Sequence, residues 1–501
     1  MIDPDSAYHA LSSRDPRFDG LFFVGVTSTG IYCRPVCPVK TPKRANCRFF
    51  ESAVAAEKAR FRPCLRCRPE LAPGLAPIDH GQRVAHLLVQ HIEESLGDEG
   101  GGLEAIAKKF EISSRQLRRI VQSELGVSPI ELLQTRRLLL AKQLLTETKL
   151  PVTEIAYASG FASLRRFNDA FLTQYRMPPT RLRRESAGEA VHEGAMSTST
   201  LQLSYRPPYD WIAILEFLQG RLMRDVEWVA DGRYARTIRI GQHTGWIRVE
   251  HVPAKRGLKV EFTHSLMPVL PALLGRLRNL FDLTARPDRI AEHLSKDLRL
   301  RASLEKNPGL RVPGAFDPFE MTVRAVLGQQ ITVKAATTLA GRFAEAFGEK
   351  ISTPFPELSR LAPLARTVAR ASVDDVAKLG IVSARAKTII ALAQAFDRGE
   401  LQLEAGAEPE RVIEELVKIP GIGRWTAHYL AMRALRWPDA FPKEDIAIRN
   451  NLGGVTAKEA DALSQLWRPW RSYAVLHIWK NLSVAPALKK VARQTREATA
   501  A

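Results

Sequence analysis

The sequence predicts a multidomain protein, mainly α-helical with small α+β parts, and three observations carry that expectation. At 501 residues the chain is too long for one hydrophobic core and suggests three or more domains. All five cysteines fall between positions 33 and 67, so one short segment has a chemistry of its own. Apolar periodicity then changes along the chain, from helical spacing over 82–184 to strand-like runs over about 199–262, and back to helical spacing beyond 315. Residues 185–198 are small, polar and aperiodic, and read as a linker. A net charge of +19, basic in both halves, argues for a polyanionic partner. No apolar run of about 18 residues occurs, and the N-terminus lacks the charged-then-apolar pattern of a signal peptide. A cytoplasmic chain with no membrane partner is therefore expected.

Cys33 and Cys37 form a Cys-x3-Cys pair, and Cys64 and Cys67 a Cys-x2-Cys pair about thirty residues on. Paired thiolates at that separation suit tetrahedral coordination of one Zn²⁺, whereas unrelated buried thiols would not be paired. Cys47 stands apart and reads as a packing residue. The run Asp19-Gly-Leu-Phe-Phe-Val-Gly-Val-Thr-Ser-Thr-Gly-Ile-Tyr-Cys33, with the two pairs, resembles the N-terminal zinc domain of the Ada family, and 1–78 is taken as that α/β zinc-binding domain. The resemblance implies that Cys33 accepts a methyl group from a DNA methylphosphotriester, and that Thr29, Arg62 and Arg66 face DNA. Zinc keeps a thiol deprotonated and so nucleophilic. Four thiolates on Zn²⁺ carry a charge of −2, and methylating one leaves −1, so phosphate would be repelled less after transfer. Repair and sensing are both expected of this site.

Over 79–184 helical segments alternate with short breaks. Leu103–Phe110 and Ser114–Glu124, with Ser113 as N-cap, make one helix-turn-helix; Val152–Phe161 and Ser163–Tyr175 make a second. The second helix of each unit carries an arginine stripe: Arg115, Arg118 and Arg119 in one, Arg165 and Arg166 with Asn168 in the other. Such a stripe is often only a solvated face, but twin units favour contact with the major groove. The combination of GVSP, RRLLLAKQLL, EIAYASGF and RRFNDAF resembles the AraC-type DNA-binding domain. It implies promoter DNA and RNA polymerase as partners.

From 199 to 308 five strand-like runs and two helices, Trp211–Arg221 and Met267–Phe281, suggest an α+β layer. Residues 309–490 read as all-α, and 491–501 as a tail. Within the helical part, Ile419-Pro420-Gly421-Ile422-Gly423 leads directly into a helix beginning at Arg424. Gly421 and Gly423 are expected to supply positive φ, and the free N–H groups of the turn to grip a phosphate. Asp445 follows in Phe441-Pro442-Lys443-Glu444-Asp445, just ahead of another helical segment, where an Asp could also serve as a cap.

PGIGRWTA, the Phe-Pro-x-x-Asp run and WRPWRSYAVLHIW together resemble the helix-hairpin-helix DNA glycosylases, of the AlkA or 3-methyladenine DNA glycosylase II type, over about 200–490. The resemblance makes 199–308 similar to the AlkA N-terminal domain. It implies Asp445 as catalytic carboxylate, Trp425, Tyr429 and Trp479 as aromatic neighbours of a flipped base, and a monovalent cation at the hairpin. Trp467 and Trp470 read as core. The side chain that enters the base stack falls to Gln330 by position or Ile331 by chemistry. Aromatic faces would favour a cationic alkylated purine by cation–π attraction. Ile446 and Lys480 stand where the family has Tyr, and a cation at 480 close to the pocket would oppose such a base unless it turns outward.

Absent residues narrow the reading. Trp425 occupies the position at which glycosylase/lyases carry a Schiff-base Lys, so a monofunctional, water-using enzyme is expected. No cysteine follows Cys67, which excludes an iron–sulfur cluster beyond the hairpin, and no alkyltransferase Pro-Cys-His-Arg motif occurs. The leading expectation is a monomeric fusion of a methylation-responsive transcription activator with a base-excision glycosylase for alkylated double-stranded DNA. A regulator whose glycosylase half binds lesions without excising them is the alternative.

Overall fold

The computed structural model describes residues 3–74, 103–109, 112–186, 198–403 and 407–480. Most of the 185–198 linker, the 491–501 tail, Phe110 and the start of the 79–184 segment lie outside the described residues.

The first domain is built on a four-stranded sheet of order β3-β1-β2-β4, with β1 at Phe23–Val26, β2 at Ile31–Cys33, β3 at Cys47–Phe50 and β4 at Arg62–Pro63. β1 pairs antiparallel with β2 and β3, while β2 and β4 run parallel with Tyr32 opposite Pro63. That register brings Cys33 and Cys64 out side by side at the ends of neighbouring strands, and the Cys64 N–H donates to Tyr32 O at 3.0 Å. Cys47 packs instead with Ala7, Leu11, Phe22 and Val24 in a separate apolar cluster.

Six helices follow. Leu103–Lys109 with Ser114–Leu125, and Val152–Ala158 with Leu164–Tyr175, form the two helix-turn-helix units, joined by the 19-residue helix Pro129–Glu147. Their starts are written in the sequence. Ser113 with Gln116 and Ser128 with Glu131 form reciprocal capping boxes, and Ser163 caps Leu164–Tyr175. The joining helix buries Leu138, Leu144 and Leu145 in the core it shares with Phe167 and Phe171.

The third domain is an antiparallel sheet of order β5-β9-β8-β7-β6, with β5 at Thr198–Ser204, β6 at Glu227–Ala230, β7 at Arg233–Ile240, β8 at His243–Val252 and β9 at Gly257–Thr263. Burial alternates along β5, as a sheet with one covered face requires. Helices Trp211–Gln219 and Leu270–Leu280 share its core. The second is preceded by a 3₁₀ segment, His264–Val269, because Pro268 and Pro271 supply no N–H there.

The last domain is helical and contains Pro318–Leu327, Val333–Phe347, Ser383–Asp397, Pro409–Val417, Arg424–Arg433 and Ile446–Asn451, with helical residues at 471–480. Trp467 is fully buried and Trp470 nearly so, as expected of core residues.

The domains are docked by buried polar groups. Lys142, on the joining helix, donates to Cys64 O at 3.1 Å and pairs with Glu70 at 2.5 Å. Arg68 pairs with Glu147 at 2.6 Å, and Glu147 accepts the Gln202 N–H at 2.9 Å. Arg206, with no exposed surface, donates to the carbonyls of Asp19, Pro73, Gly74 and Thr284 at 2.8–3.2 Å. The zinc-type domain is thereby held against both of its neighbours.

Candidate active site and zinc centre

The hairpin turn lies between Pro409–Val417 and Arg424–Arg433. Gly421 has φ +89°, and a Cβ there would stand 2.0 Å from Thr388 Oγ1, so only glycine fits. Gly423 differs from expectation. Its φ is −87° and nothing lies within 4 Å of a would-be Cβ, so its contribution is open space before the helix rather than a special backbone angle. Gly421, Gly423 and Arg424 are exposed while Ile422 is buried, which seats the turn and leaves the N–H groups at the helix start facing outward.

Asp445 caps a helix with one carboxylate oxygen and faces an indole with the other. Oδ1 accepts the Ile448 N–H at 2.8 Å and caps Ile446–Asn451, while Oδ2 accepts the Trp425 Nε1–H at 2.8 Å. The carboxylate is 8% exposed and lines a cavity of about 400 Å³. Trp425 and Tyr429, one helical turn apart, stack with ring centres 5.4 Å apart and planes 7° from parallel. Trp479 is tilted against Tyr429 at 6.3 Å, and all three rings line the same cavity. The structure therefore brings Asp445 and Trp479 together with the adjacent pair Trp425 and Tyr429.

Gln330 and Ile331 separate. Gln330 is exposed with φ +52°, at the tip of the turn after Pro318–Leu327, whereas Ile331 is half-buried and lines the cavity. Gln329 anchors that turn by donating to Gly421 O and Thr426 Oγ1, both at 3.0 Å, and its carbonyl accepts from Arg385.

Lys480 is turned away, as one of the two expectations required: its Nζ pairs with Glu216 at 2.5 Å, and it does not line the cavity. Ile446 is 70% exposed and likewise outside it.

The sulfurs of Cys33, Cys37, Cys64 and Cys67 all lie within 4.8 Å of one another, and all four residues are buried. Thiolates bound tetrahedrally at about 2.3 Å from zinc stand about 3.8 Å apart, so the donor set fits one Zn²⁺. Without a cation, four ionised sulfurs could not share this space. The Arg34 N–H donates to the Cys67 sulfur at 3.3 Å. Arg34 is fixed by its ion pair with Asp19. Thr29 and Arg66 are exposed and Arg62 half-buried, with Thr29 on the β1–β2 turn and Arg66 between two of the cysteines. Arg115, Arg118, Arg119, Arg165, Arg166 and Asn168 are exposed on the second helices of the two units.

Four family models match the chain in order: the metal binding domain of Ada over 6–70, a helix-turn-helix domain over 106–185, the AlkA N-terminal domain over 200–317, and the HhH-GPD superfamily of base excision DNA repair proteins over 323–471. A Mycobacterium tuberculosis protein described as a probable bifunctional transcriptional activator/DNA repair enzyme AlkA is 36% identical over 485 residues, covering 96% of this chain and 97% of that one. The chain belongs to this bifunctional activator/DNA repair family. The C-terminal half is similar to DNA-3-methyladenine glycosylase 2 of Escherichia coli, 37% identical over 55% of this chain and 95% of the relative. The N-terminal part is similar to the activator/repair enzyme AdaA of Bacillus subtilis, 30% identical over 38% of this chain and 87% of the relative.

In this member of the bifunctional family the cavity has walls that the sequence did not announce. Arg221, Glu227, Arg236, Glu320, Arg324 and Arg433 also line it. They come from the α+β domain and from two helices of the glycosylase domain, so no local spacing marks them. A signal was present only at Arg324 and Glu320, which interrupt the apolar run Phe319-Glu320-Met321-Thr322-Val323-Arg324-Ala325-Val326 on a helix with most of its residues buried.

Proposed function

We propose that this activator/repair protein excises damaged bases from DNA at Asp445, and that the observation supporting this most directly is the Asp445–Trp425 pair at the cavity wall. A base turned out of the duplex enters beside Trp425 and Trp479. The glycosidic bond breaks with positive charge developing on the sugar, and the Asp445 carboxylate lies where it stabilises that charge. The base leaves with the bonding electron pair, water adds at the sugar carbon and gives up a proton; a base that carried a fixed positive charge leaves neutral, and a neutral one takes up that proton. Trp425 Nε1–H and Ile448 N–H fix the carboxylate so that it does not reorganise during the step. No Lys takes the place of Trp425, so the reading is monofunctional. Gly421 and Gly423 hold a phosphate at the hairpin, with a monovalent cation there, and Gln330, exposed at its turn, enters the stack.

Cys33 is the methyl acceptor in the same reading. When bound, zinc keeps the four thiols deprotonated. The Cys33 sulfur attacks the methyl carbon of a phosphotriester, forming S–C as C–O breaks, and the phosphodiester leaves as an anion. Thr29, Arg62 and Arg66 receive the backbone, and Arg115, Arg118, Arg165 and Arg166 contact promoter DNA. We place the protein in the cytoplasm as a monomer that contacts RNA polymerase when bound to a promoter.

The test is base release from methylated duplex DNA by the full-length protein. Release of 3-methyladenine that disappears in Asp445→Asn, with lesion binding retained, is the expected result; undiminished release by that variant would exclude the assignment.

A further inference from the structure

The base cavity holds more positive charge than bond cleavage requires. Two carboxylates in it are already engaged: Arg236 pairs with Glu320 at 2.6 Å and with Glu227 at 3.7 Å, and Glu227 also accepts from Tyr234 Oη at 2.6 Å. Arg221, Arg324 and Arg433 make no ion pair with a carboxylate among the described residues. Arg433 spends its N–H groups on Pro313 O, Gly314 O and Tyr429 Oη. Arg221 donates to Phe217 O at 3.2 Å and lies 3.8 Å over the Phe217 ring, and Arg324 donates to Ala336 O at 3.4 Å. Each of these last two therefore keeps several of its five donors unspent at the cavity wall.

The electrostatic consequences are visible in the neighbouring groups. Burial pushes Arg324 and Arg433 below the usual arginine range. Burial raises the Tyr429 phenol, but Arg433, Arg221 and Arg324 outweigh it and bring the group below its ordinary value. Three guanidiniums thus converge on one aromatic ring of the cavity, with Asp445 at the opposite side of their charge balance.

We propose that Arg221 and Arg324 are specificity-determining residues that favour uncharged bases presenting carbonyl or ring-nitrogen lone pairs over bases carrying a fixed positive charge. The proposal rests on the reading of this cavity as the base site. An arginine stays protonated and offers a planar fork of donors, which suits acceptor edges of a purine or pyrimidine and opposes a cationic ring in the same space. Cation–π attraction from Trp425 and Trp479 acts in the other direction, so the arginines tune a balance rather than forbid a class. A cationic lesion with a weakened glycosidic bond is still excised, and the arginines lower its advantage over a neutral one.

The experiment measures single-turnover base release by full-length protein from duplexes carrying one deoxyinosine or one 7-methyldeoxyguanosine. Arg324→Gln is expected to raise the rate ratio of 7-methylguanine to hypoxanthine about tenfold, the size of one partly screened charge a few ångström away. Arg221→Gln, at a half-exposed site, should move it the same way by less. It also keeps the claim testable if Arg324→Gln does not fold. Lys480→Gln, whose charge is spent on Glu216, should leave the ratio unchanged. An unchanged ratio in the arginine variants, with both bases still released, would overturn the proposal. Release of neither base by the unsubstituted protein would remove the excision reading and this inference with it.

Discussion

The four-cysteine cluster and the base cavity are both buried, polar sites, yet they are assembled in opposite ways. The cluster draws its donors from the end of β2 and from the segments that follow β2 and β4, with the parallel pairing of those strands bringing Cys33 and Cys64 together. The cavity draws its walls from positions as distant as Leu218 and Trp479, across two domains. In the cluster, like charges are compatible only through a cation from outside the chain. In the cavity, part of the charge is matched internally, by Arg236 against Glu320 and Glu227, and part is left over. A site made by local pairing stands or falls with its metal, whereas a site made by long-range packing tolerates single changes and shows them as altered rates.

The largest break in that comparison should come from Cys64→Ser. Zinc content measured by mass spectrometry is expected to fall from one atom per chain to none, and methyl acceptance to vanish, while base release persists because the cavity contains no zinc ligand. Joint loss of both activities would show that the two sites are not separable.

Trp425→Phe keeps a ring and removes the Nε1–H that Asp445 Oδ2 accepts. Losing a hydrogen bond to a charged group costs about 1.5–3 kcal/mol, or roughly ten- to a hundredfold in the rate of base release, with lesion affinity changing less. Equal rates in single-turnover assays would mean that the carboxylate is held without the indole.

Much of this architecture was legible because it is local. The capping residue Ser113 marks the helix start beside it, as Ser128 and Ser163 do in the structure, and paired cysteines announce tetrahedral geometry by spacing alone. Asp445 was ambiguous between cap and catalyst because one carboxylate has two oxygens; the structure shows Oδ1 on the cap and Oδ2 on the Trp425 indole. Lys480 was left open by its place beside Trp479: consecutive positions on a helix point about 100° apart, so one faces the cavity and the next reaches Glu216. Arg221 and Arg433 were illegible because only tertiary packing gathers them, and Arg324 was marked only by its interruption of an apolar helical run. Gly423 shared a motif with Gly421 but not its backbone angle.

That last contrast gives a finer test. Gly421→Ala places a Cβ 2.0 Å from Thr388 Oγ1 at φ +89°, and should lower stability by about 1–3 kcal/mol as well as weaken DNA binding. Gly423→Ala meets no contact, and should change thermal stability by less than about 0.5 kcal/mol. Equal losses in a paired melting experiment would contradict the geometry of the turn.

The smallest expected effect separates the domains by pH. Glu57 accepts from Tyr32 Oη at 2.9 Å and Thr135 Oγ1 at 2.6 Å, and burial pushes it up from 4.5 to about 7. Between those values the folded protein holds a proton that the unfolded chain has released. Stability from this group is therefore full below about 4.5 and is lost as pH rises through 7. Glu320, also raised to about 7 by burial, adds a slope of the same sign from the cavity. Glu57→Gln should flatten part of the decline in denaturation midpoint between these pH values and leave the share due to Glu320; an unaltered profile would remove Glu57 from the account.

The central claim is that Asp445 acts on the sugar while it caps a helix. Asp445→Asn keeps an oxygen for Ile448 N–H and removes the charge, so the most direct measurement is single-turnover release of 3-methyladenine by this variant beside its melting temperature. A near-native melting temperature is expected, with release lowered by at least about a hundredfold, the usual weight of one electrostatic catalytic group. A variant that melts early and releases base at the native rate per folded molecule would show Asp445 to be a cap alone.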